Sequence, residues 1–303
     1  MANLRDIRRR IKSVKNTSQI TKAMQMVAST KMRKAQQAAV ALRPYASRLD
    51  DLAGHLYASM GKEELSHPLL QGQKRSGKTA VIVITSEKGL CGPLNANLLR
   101  DVLKADDGSK VYISIGRKGR QTLARLKKNL LADFEIKDSP AFKDSKAISR
   151  FILQKFEEKQ FDAVEIYYNR FVNTLSQVPT RYPIVPIGAG LLDVAKALGE
   201  AERAERTERH ASKKAVATYP YNFEPDTSVL LGKLLPYYIH LELYSKILES
   251  RASEHSARMV AMKNATDNAK QLVKDLTLEY NKARQASITN EILEISSAAA
   301  AMG

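Results

Sequence analysis

The sequence has a single cysteine, no tryptophan and few aromatic residues, and each shortage limits what the chain can be. One cysteine, Cys91, excludes an internal disulfide framework and any metal site built from several cysteines. Aromatic residues make up only 6% of the 303 residues, which is low for a chain built wholly of compact domains. Long helices with thin cores would explain that shortage. No run approaches the ~18 consecutive apolar residues that a membrane-spanning helix needs.

Acidic residues are nearly absent from the first 49 positions. Twelve Lys and Arg residues there accompany one acid, Asp6, so this segment carries +11 of the formal net charge of +17. Such a basic stretch suits either a polyanion such as nucleic acid or an acidic protein surface. Charge alone does not separate these two interpretations.

Apolar and small residues recur at alternating steps of four and three from Leu4 to Leu42, which is the spacing of a heptad seam. The seam begins with branched apolar residues, but its middle is polar or small. A second apolar strip runs beside that middle and comprises Ile20, Ala23, Met24 and Val27. The pattern predicts one helix over residues 1–60 that turns a different face inward partway along. Pro44 predicts a kink rather than a stop.

The same spacing returns from Tyr238 to Ala283 and predicts a second long helix over residues 226–303, with Pro236 as an early kink. Neither helix can bury its stripe alone. Both are rooted in the domain between them and point away from it, so we expect them to pair antiparallel. The C-terminal helix is the longer one, and its end should project beyond the pair.

That projecting end is apolar. No Lys or Arg follows Arg284. Glu291 and Glu294 are the charged residues of this end, and they lie among the apolar residues Ile288, Ile292, Ile295, Ala298–Ala301 and Met302. An exposed helix with this composition would aggregate, which favours a position inside the apolar sleeve of a partner. A frayed terminus is the alternative interpretation.

The central residues, 75–190, change to short buried runs that alternate with helical segments. The strand candidates are Thr79–Thr85, Lys110–Ile115 and Asp162–Tyr168. This alternation predicts a mostly parallel sheet with both faces covered. Residues 178–187 contain three prolines and fit only an edge strand. Residues 61–78 are a predicted linker, and the charge-rich residues 190–220 are a predicted loop or insert.

Long runs at both ends of the chain, together with the central turn, resemble the sequences of ATP synthase gamma subunits. These runs are Ile7–Ile11, Asn16–Ala28, Lys31–Lys34, Ser253–Ala269 and Tyr280–Ile292, with the turn Gly89–Gly92 and Asn95. The resemblance implies an antiparallel coiled coil of the terminal helices beside a central Rossmann-like α/β domain. It covers the whole chain apart from residues 190–215.

What the resemblance implies is a central-stalk rotor that transmits torque between a membrane c-ring and three catalytic sites. Its expected partners are three alpha and three beta subunits, an epsilon subunit and the c-ring, at the cytoplasmic face of a bacterial plasma membrane. It implies a non-catalytic subunit of a proton-translocating enzyme, without a cofactor, metal site, nucleic acid or membrane insertion of its own.

The resemblance also assigns contact residues. Those expected to face the catalytic subunits are Lys22, Met24, Arg258, Arg284, Gln285 and Thr289. Tyr221 and Glu224 match the foot that stands on the membrane ring. From the residues alone, Met24 would be a core methionine, and Tyr221 and Glu224 would be ordinary turn residues.

The sequence also leaves two other functions open. A basic coiled-coil protein that binds nucleic acid would explain the N-terminal charge, although few aromatic residues lie near it for stacking. An enzyme with a doubly wound sheet could use Gly89–Gly92 as a phosphate loop. The spacing of that turn matches neither the dinucleotide fingerprint nor a P-loop, which argues against this second alternative.

Overall fold

The computed structural model describes residues 4–59, 67–188 and 227–302. Two long helices dominate it, α1 (Leu4–Ser59) and α6 (Thr227–Met302). At 1.5 Å per residue they are about 84 and 114 Å long. The intervening helices are α2 (Pro68–Gln71), α3 (Leu94–Lys104), α4 (Arg117–Arg125) and α5 (Phe142–Glu157). The strands are β1 (Thr79–Ile84), β2 (Lys110–Ile115), β3 (Leu130–Phe134), β4 (Ala163–Phe171) and β5 (Gln177–Val185).

The two long helices run as the heptad spacing predicted. Pro44 and Pro236 both lie inside helices that continue past them. Contacts between the helices proceed in opposite directions along the chain, because Arg8 reaches Tyr280 whereas Tyr45 reaches Tyr237. The pair is therefore antiparallel. The insert predicted at 190–220 lies outside the described residues.

The central sheet has the order β3-β2-β1-β4-β5, in which the first four strands are parallel and β5 is antiparallel to β4. The proline-rich segment is the predicted edge strand, with Pro179 opposite Asn169 and Pro183 opposite Glu165. Strand β3 and the short helix α2 were not foreseen. Strand β3 is a five-residue edge strand whose side chains are half-buried or exposed. Such a strand needs no long apolar run, and its sequence lacks the one that marks β1.

Each face of the sheet carries its own core. One core packs β-sheet residues against α5, the foot of α6 and the end of α1, and includes Phe156, Leu243 and Ile247. A smaller core lies beneath α3 and α4 and includes Leu98 and Leu123. The foot of the coiled coil is therefore part of the domain core, and the shaft and domain share one packed interior.

The heptad seam stays on one face of α1 throughout, so the expected change of face is wrong. Ile20 and Val27 are 60% and 54% exposed, whereas Ala28 of the seam is buried. The reason is a polar contact that the sequence pattern did not reveal. Thr21 and Thr266 lie in the seam with their hydroxyl oxygens 2.7 Å apart, and Thr266 also donates to the Met262 carbonyl. Their hydroxyl groups are satisfied, so the polar middle remains buried.

The pH dependence of stability should reveal a buried histidine between α5 and α6. Ser149 Oγ and His240 Nδ1 are 2.6 Å apart, and both residues are buried. Burial lowers the pKa of His240 from 6.5 to about 4, and the charges of Lys146 and Arg150 act in the same direction. The unfolded state therefore binds the proton first as the pH falls. The neutral, buried form of His240 therefore contributes to the free energy of unfolding. We expect this stabilisation to be complete above pH 6.5 and to be lost as the pH falls towards about 4.

Urea unfolding across that window measures this dependence directly. In a His240→Gln variant the difference between wild type and variant should change with pH in the same window, because the variant lacks the titrating ring. Parallel pH profiles for the two proteins would contradict the assignment to His240.

Candidate functional site

The N-terminal part of α1 presents a basic face. Its exposed cations include Arg8, Arg9, Arg10, Lys12, Lys22, Arg33 and Lys34. Arg9 pairs with Asp6, and the Arg8 guanidinium donates to the Tyr280 hydroxyl and lies 5.5 Å from that ring's centre. The other five form no ion pair with another residue that the structure describes. This face is therefore open to an acidic partner surface.

An apolar strip lies beside the cations. We call Ile20, Ala23 and Val27 the outer strip, since all three are exposed on the side of α1 turned away from the seam. Met24 is half-buried at its border, and Lys22 is exposed next to it. The strip that we expected inside the pair is thus on the outside. Exposed apolar residues next to unpaired cations suit contact with another protein.

The far end of α6 carries three of the predicted contact residues, and all three are exposed: Arg284, Gln285 and Thr289. The apolar tip, residues 285–298, follows Arg284 and passes the point where α1 begins. Ile288, Ile292 and Ile295 are 47%, 60% and 70% exposed. The Thr289 hydroxyl donates to the Gln285 carbonyl, and Glu291 and Glu294 are the charged residues exposed on the tip. Residues 288–298 are all exposed in the part of the chain that the structure describes.

Arg258 differs from Arg284, Gln285 and Thr289 because its side chain binds a segment outside its own helix. Its guanidinium donates to the carbonyls of Lys88 and Gly89 in the turn after β1. It also pairs with Glu254 at 2.8 Å, and its side chain is only 11% exposed. The geometry makes Arg258 a link between the shaft and the central domain.

Glu254 lies at the centre of this link, which we call the charge joint (Arg251, Glu254 and Arg258). One carboxylate oxygen of Glu254 accepts from Arg258 and the other accepts from Arg251 at 2.6 Å. Arg251 also donates to the carbonyl of Ile136, 2.6 Å away. Arg251 and Glu254 are 3% and 4% exposed. The buried carboxylate is thus neutralised on both sides, as a charge in a protein interior must be.

Two further groups surround the charge joint. Asp138, in the loop after β3, pairs with Lys31 of α1, and this hydrogen bond lowers the pKa of Asp138. Burial lowers the pKa of His255, whose ring nitrogen Nδ1 lies 3.3 Å from Arg258. Both long helices are therefore fastened to the sheet loops by charged contacts at the same level of the shaft.

The turn Gly89–Gly92 is occupied by internal contacts. The Asn95 amide nitrogen donates to the Ser86 hydroxyl at 2.7 Å and to the Cys91 sulfur at 3.2 Å, and its oxygen accepts from the Ser86 amide. Cys91 is buried, as expected of a small residue in a turn. Because the carbonyl of Gly89 accepts from Arg258, the turn is a docking point for α6.

Sequence reasoning missed Arg251, Glu254 and the Lys31–Asp138 pair. The spacing of Arg251, Glu254 and Arg258 by three and four residues was a visible signal, but it is also typical of exposed helical ion pairs. Tyr221 and Glu224, the predicted foot, lie outside the described residues. Among residues 4–59, 67–188 and 227–302, no cluster of His, Cys, Asp or Glu could hold a metal ion. No helix in those ranges has the length and apolar character that a bilayer crossing requires.

Comparison with known sequences gives matches along the whole chain. The profile of a protein family described as ATP synthase matches residues 3–302. The chain is 51% identical to the ATP synthase gamma chain of Methylacidiphilum infernorum, over 100% of both chains. It is 45% identical to the ATP synthase gamma chain of Akkermansia muciniphila, again over 100% of each.

Comparison with solved structures agrees on the fold. The rotor of the Euglena gracilis mitochondrial ATP synthase superposes with a TM-score of 0.64 at 18% identity, covering 94% of this chain and 98% of that one. The central stalk and c-ring structure of the Tetrahymena thermophila enzyme gives a TM-score of 0.58 at 23% identity, covering 81% and 99%. The arrangement of two long helices beside a small sheet domain is thus the one found in these structures.

Proposed function

Since the chain belongs to the ATP synthase gamma-chain family, we propose that its paired helices are the shaft that rotates inside a ring of three alpha and three beta subunits. The proposal rests above all on one observation. The outer strip and the apolar tip each expose several apolar residues along one helix, whereas most apolar residues of the sheet lie in two buried cores. Surfaces of this kind require a surrounding partner.

The coupling between rotation and chemistry would come from the asymmetry of this shaft. The basic face lies on α1 alone, and the tip extends from α6 alone. At any angle the three catalytic sites therefore meet different charges and shapes. A ligand equilibrium shifts only through such differential contacts, so rotation would exchange the affinities of the sites for ADP, phosphate and ATP. In this proposal the gamma chain itself is not catalytic.

The proposed contact residues lie at different positions along the length of the shaft. Lys22 and Met24 beside the outer strip would meet an acidic loop of the catalytic subunit, and Arg284, Gln285 and Thr289 would meet its loops near the tip. Arg258 would act through the charge joint, since its guanidinium already binds Lys88, Gly89 and Glu254.

The lower end of the molecule would transmit torque from the membrane. Tyr221 and Glu224 are the proposed contacts with the c-ring, and an epsilon subunit is the proposed partner at the central domain. The chain is part of a membrane-associated complex, and we propose the cytoplasmic face of a bacterial plasma membrane. The nucleic-acid interpretation of the basic face has no support, because the relatives at 45–51% identity are ATP synthase gamma chains.

Removing the polar contacts beside the tip should impair coupled turnover. Arg284 and Gln285 are exposed, and Arg284 forms no ion pair with a described residue, so Arg284→Ala with Gln285→Ala should leave the fold unchanged. If one charge-assisted bond in the moving complex is lost, ATP hydrolysis by the assembled enzyme should fall on the order of tenfold. Steady-state ATPase activity of the purified complex measures this.

A double variant in the central domain is the control. Lys143→Ala with Gln160→Ala removes a cation and a side-chain amide from exposed positions outside the basic face and the tip. It should retain full turnover, and circular dichroism of both chains should match wild type. Unchanged turnover in the Arg284 and Gln285 variant of a fully assembled enzyme would refute the proposed tip contacts.

A further inference from the structure

A groove between α3 and α4 lies on the face of the sheet opposite the shaft. It encloses about 770 Å³ and is lined by residues of both helices. Its apolar floor is formed by Leu99, Leu103 and Leu126. Leu126 is 44% exposed, whereas Leu99 is buried by the small core beneath. None of the contacts proposed for the shaft, the tip or the foot uses this surface.

Cations line both sides of the groove. Arg100 and Lys104 follow each other by four residues on α3, and Lys118 and Arg125 lie seven residues apart on α4. No acidic residue is among the residues that line the groove. Like charges four residues apart destabilise a helix, so this arrangement costs the fold stability.

Two neighbouring cations are neutralised, and these four are not. Arg120 of α4 pairs with Asp133 at 3.0 Å, and Lys128 pairs with Asp106 at 2.6 Å. None of the four groove cations forms an ion pair with another residue in the part of the chain that the structure describes. The charge is therefore available to a partner along the whole length of the groove.

We propose that this groove binds an acidic amphipathic helix of another protein. Two parallel rows of cations on either side of an aliphatic floor match a helix with leucine-like residues on one face and Asp or Glu on its flanks. The helix α3 is about 16 Å long, so about three turns of the partner helix fit beside it. The proposal does not depend on the rotor function.

The composition of the groove favours a protein over a nucleic acid. Single-stranded nucleic acids bind through aromatic side chains on which bases stack. None of the groove-lining residues is aromatic, and the floor is aliphatic. An aliphatic floor instead matches the i, i+3, i+4 and i+7 apolar side chains of a docked helix.

The test uses the full-length chain and synthetic peptides. The probe is a fluorescent helical peptide with leucine at i, i+3, i+4 and i+7 and glutamate on both flanks. Its control replaces each glutamate by lysine. Fluorescence anisotropy at low salt should show binding of the acidic peptide only, with affinity that falls as salt is added.

Charge reversal of the groove should abolish that preference. Lys104→Glu with Arg125→Glu changes two exposed cations and should weaken binding by at least about tenfold. Lys137→Glu with Lys143→Glu makes the same charge change at exposed positions outside the groove and should leave the affinity within about twofold of wild type. Ala96→Glu, at an exposed groove position, provides an independent variant that should also weaken binding.

Several results would overturn the proposal. These are equal binding of the acidic and basic peptides, or equal loss of affinity in the groove and control variants. Displacement of the peptide by single-stranded DNA at equal concentration would assign the groove to nucleic acid. Self-association of the chain that Lys104→Glu with Arg125→Glu abolishes would assign it to a second copy.

Discussion

Replacing Glu254 by alanine should destabilise the folded chain by about 3 to 5 kcal/mol. The carboxylate is 4% exposed and accepts hydrogen bonds from both Arg251 and Arg258. Its removal leaves Arg251, itself 3% exposed, as a buried charge without its ion-pair partner. An uncompensated charge in the interior costs far more than the pair contributed. The loss should be visible as a lower midpoint in urea unfolding monitored by helical circular dichroism.

The control for this variant is an ion pair on the surface. Asp6→Ala removes the partner of Arg9, where the two side chains are 58% and 83% exposed. Exposed pairs contribute little, so this variant should change stability by less than about 1 kcal/mol. Equal losses for Glu254→Ala and Asp6→Ala would contradict the view that the charge joint fastens the shaft to the domain.

Shortening Leu243 to alanine should cost about 2 to 5 kcal/mol of stability, because the substitution leaves a cavity in the larger core. Leu243 is completely buried among residues of the sheet, α5 and α1 at the foot of α6. Since this core is shared by the shaft and the domain, the variant should lower the unfolding midpoint of both together. Calorimetry or urea unfolding with more than one probe measures that directly.

The matched control is the same substitution farther along the same helix. Leu278 is 62% exposed near the far end of the paired helices, and Leu278→Ala should change stability by no more than about 0.5 kcal/mol. Any larger functional effect of Leu278→Ala in the assembled enzyme would then reflect contact with a partner. A loss of stability in Leu278→Ala as large as that in Leu243→Ala would contradict the division of α6 into a buried foot and an open shaft.

Some elements of the fold were predictable from the sequence and others were not. The heptad spacing predicted both long helices, because a repeat of 3.5 residues leaves a helix only one face to bury. Their antiparallel pairing was predicted from the domain between them, and the projecting tip from their unequal lengths. The edge strand was predicted from its prolines. Strand β3 was missed because a short, half-buried edge strand carries no strong apolar run.

The outer strip shows why pattern alone failed at one place. Ile20 and Val27 are more apolar than the seam residues Thr21 and Ala28, so hydrophobicity favoured the wrong face. The partner helix decided the matter, because Thr266 satisfies the hydroxyl of Thr21 inside the seam. That contact joins positions 245 residues apart, which no local pattern can represent.

The sequence by itself therefore determined the paired helices, the basic first helix and the apolar tip, since each follows from composition and spacing along one element. Only the tertiary structure decided which charged residues are buried. The spacing of Arg251, Glu254 and Arg258 would be the same on an exposed helix, and it becomes a joint only because the loops after β1 and β3 cover it. Burial is a property of what packs against a residue, and for these residues the covering segments lie more than a hundred positions away along the chain.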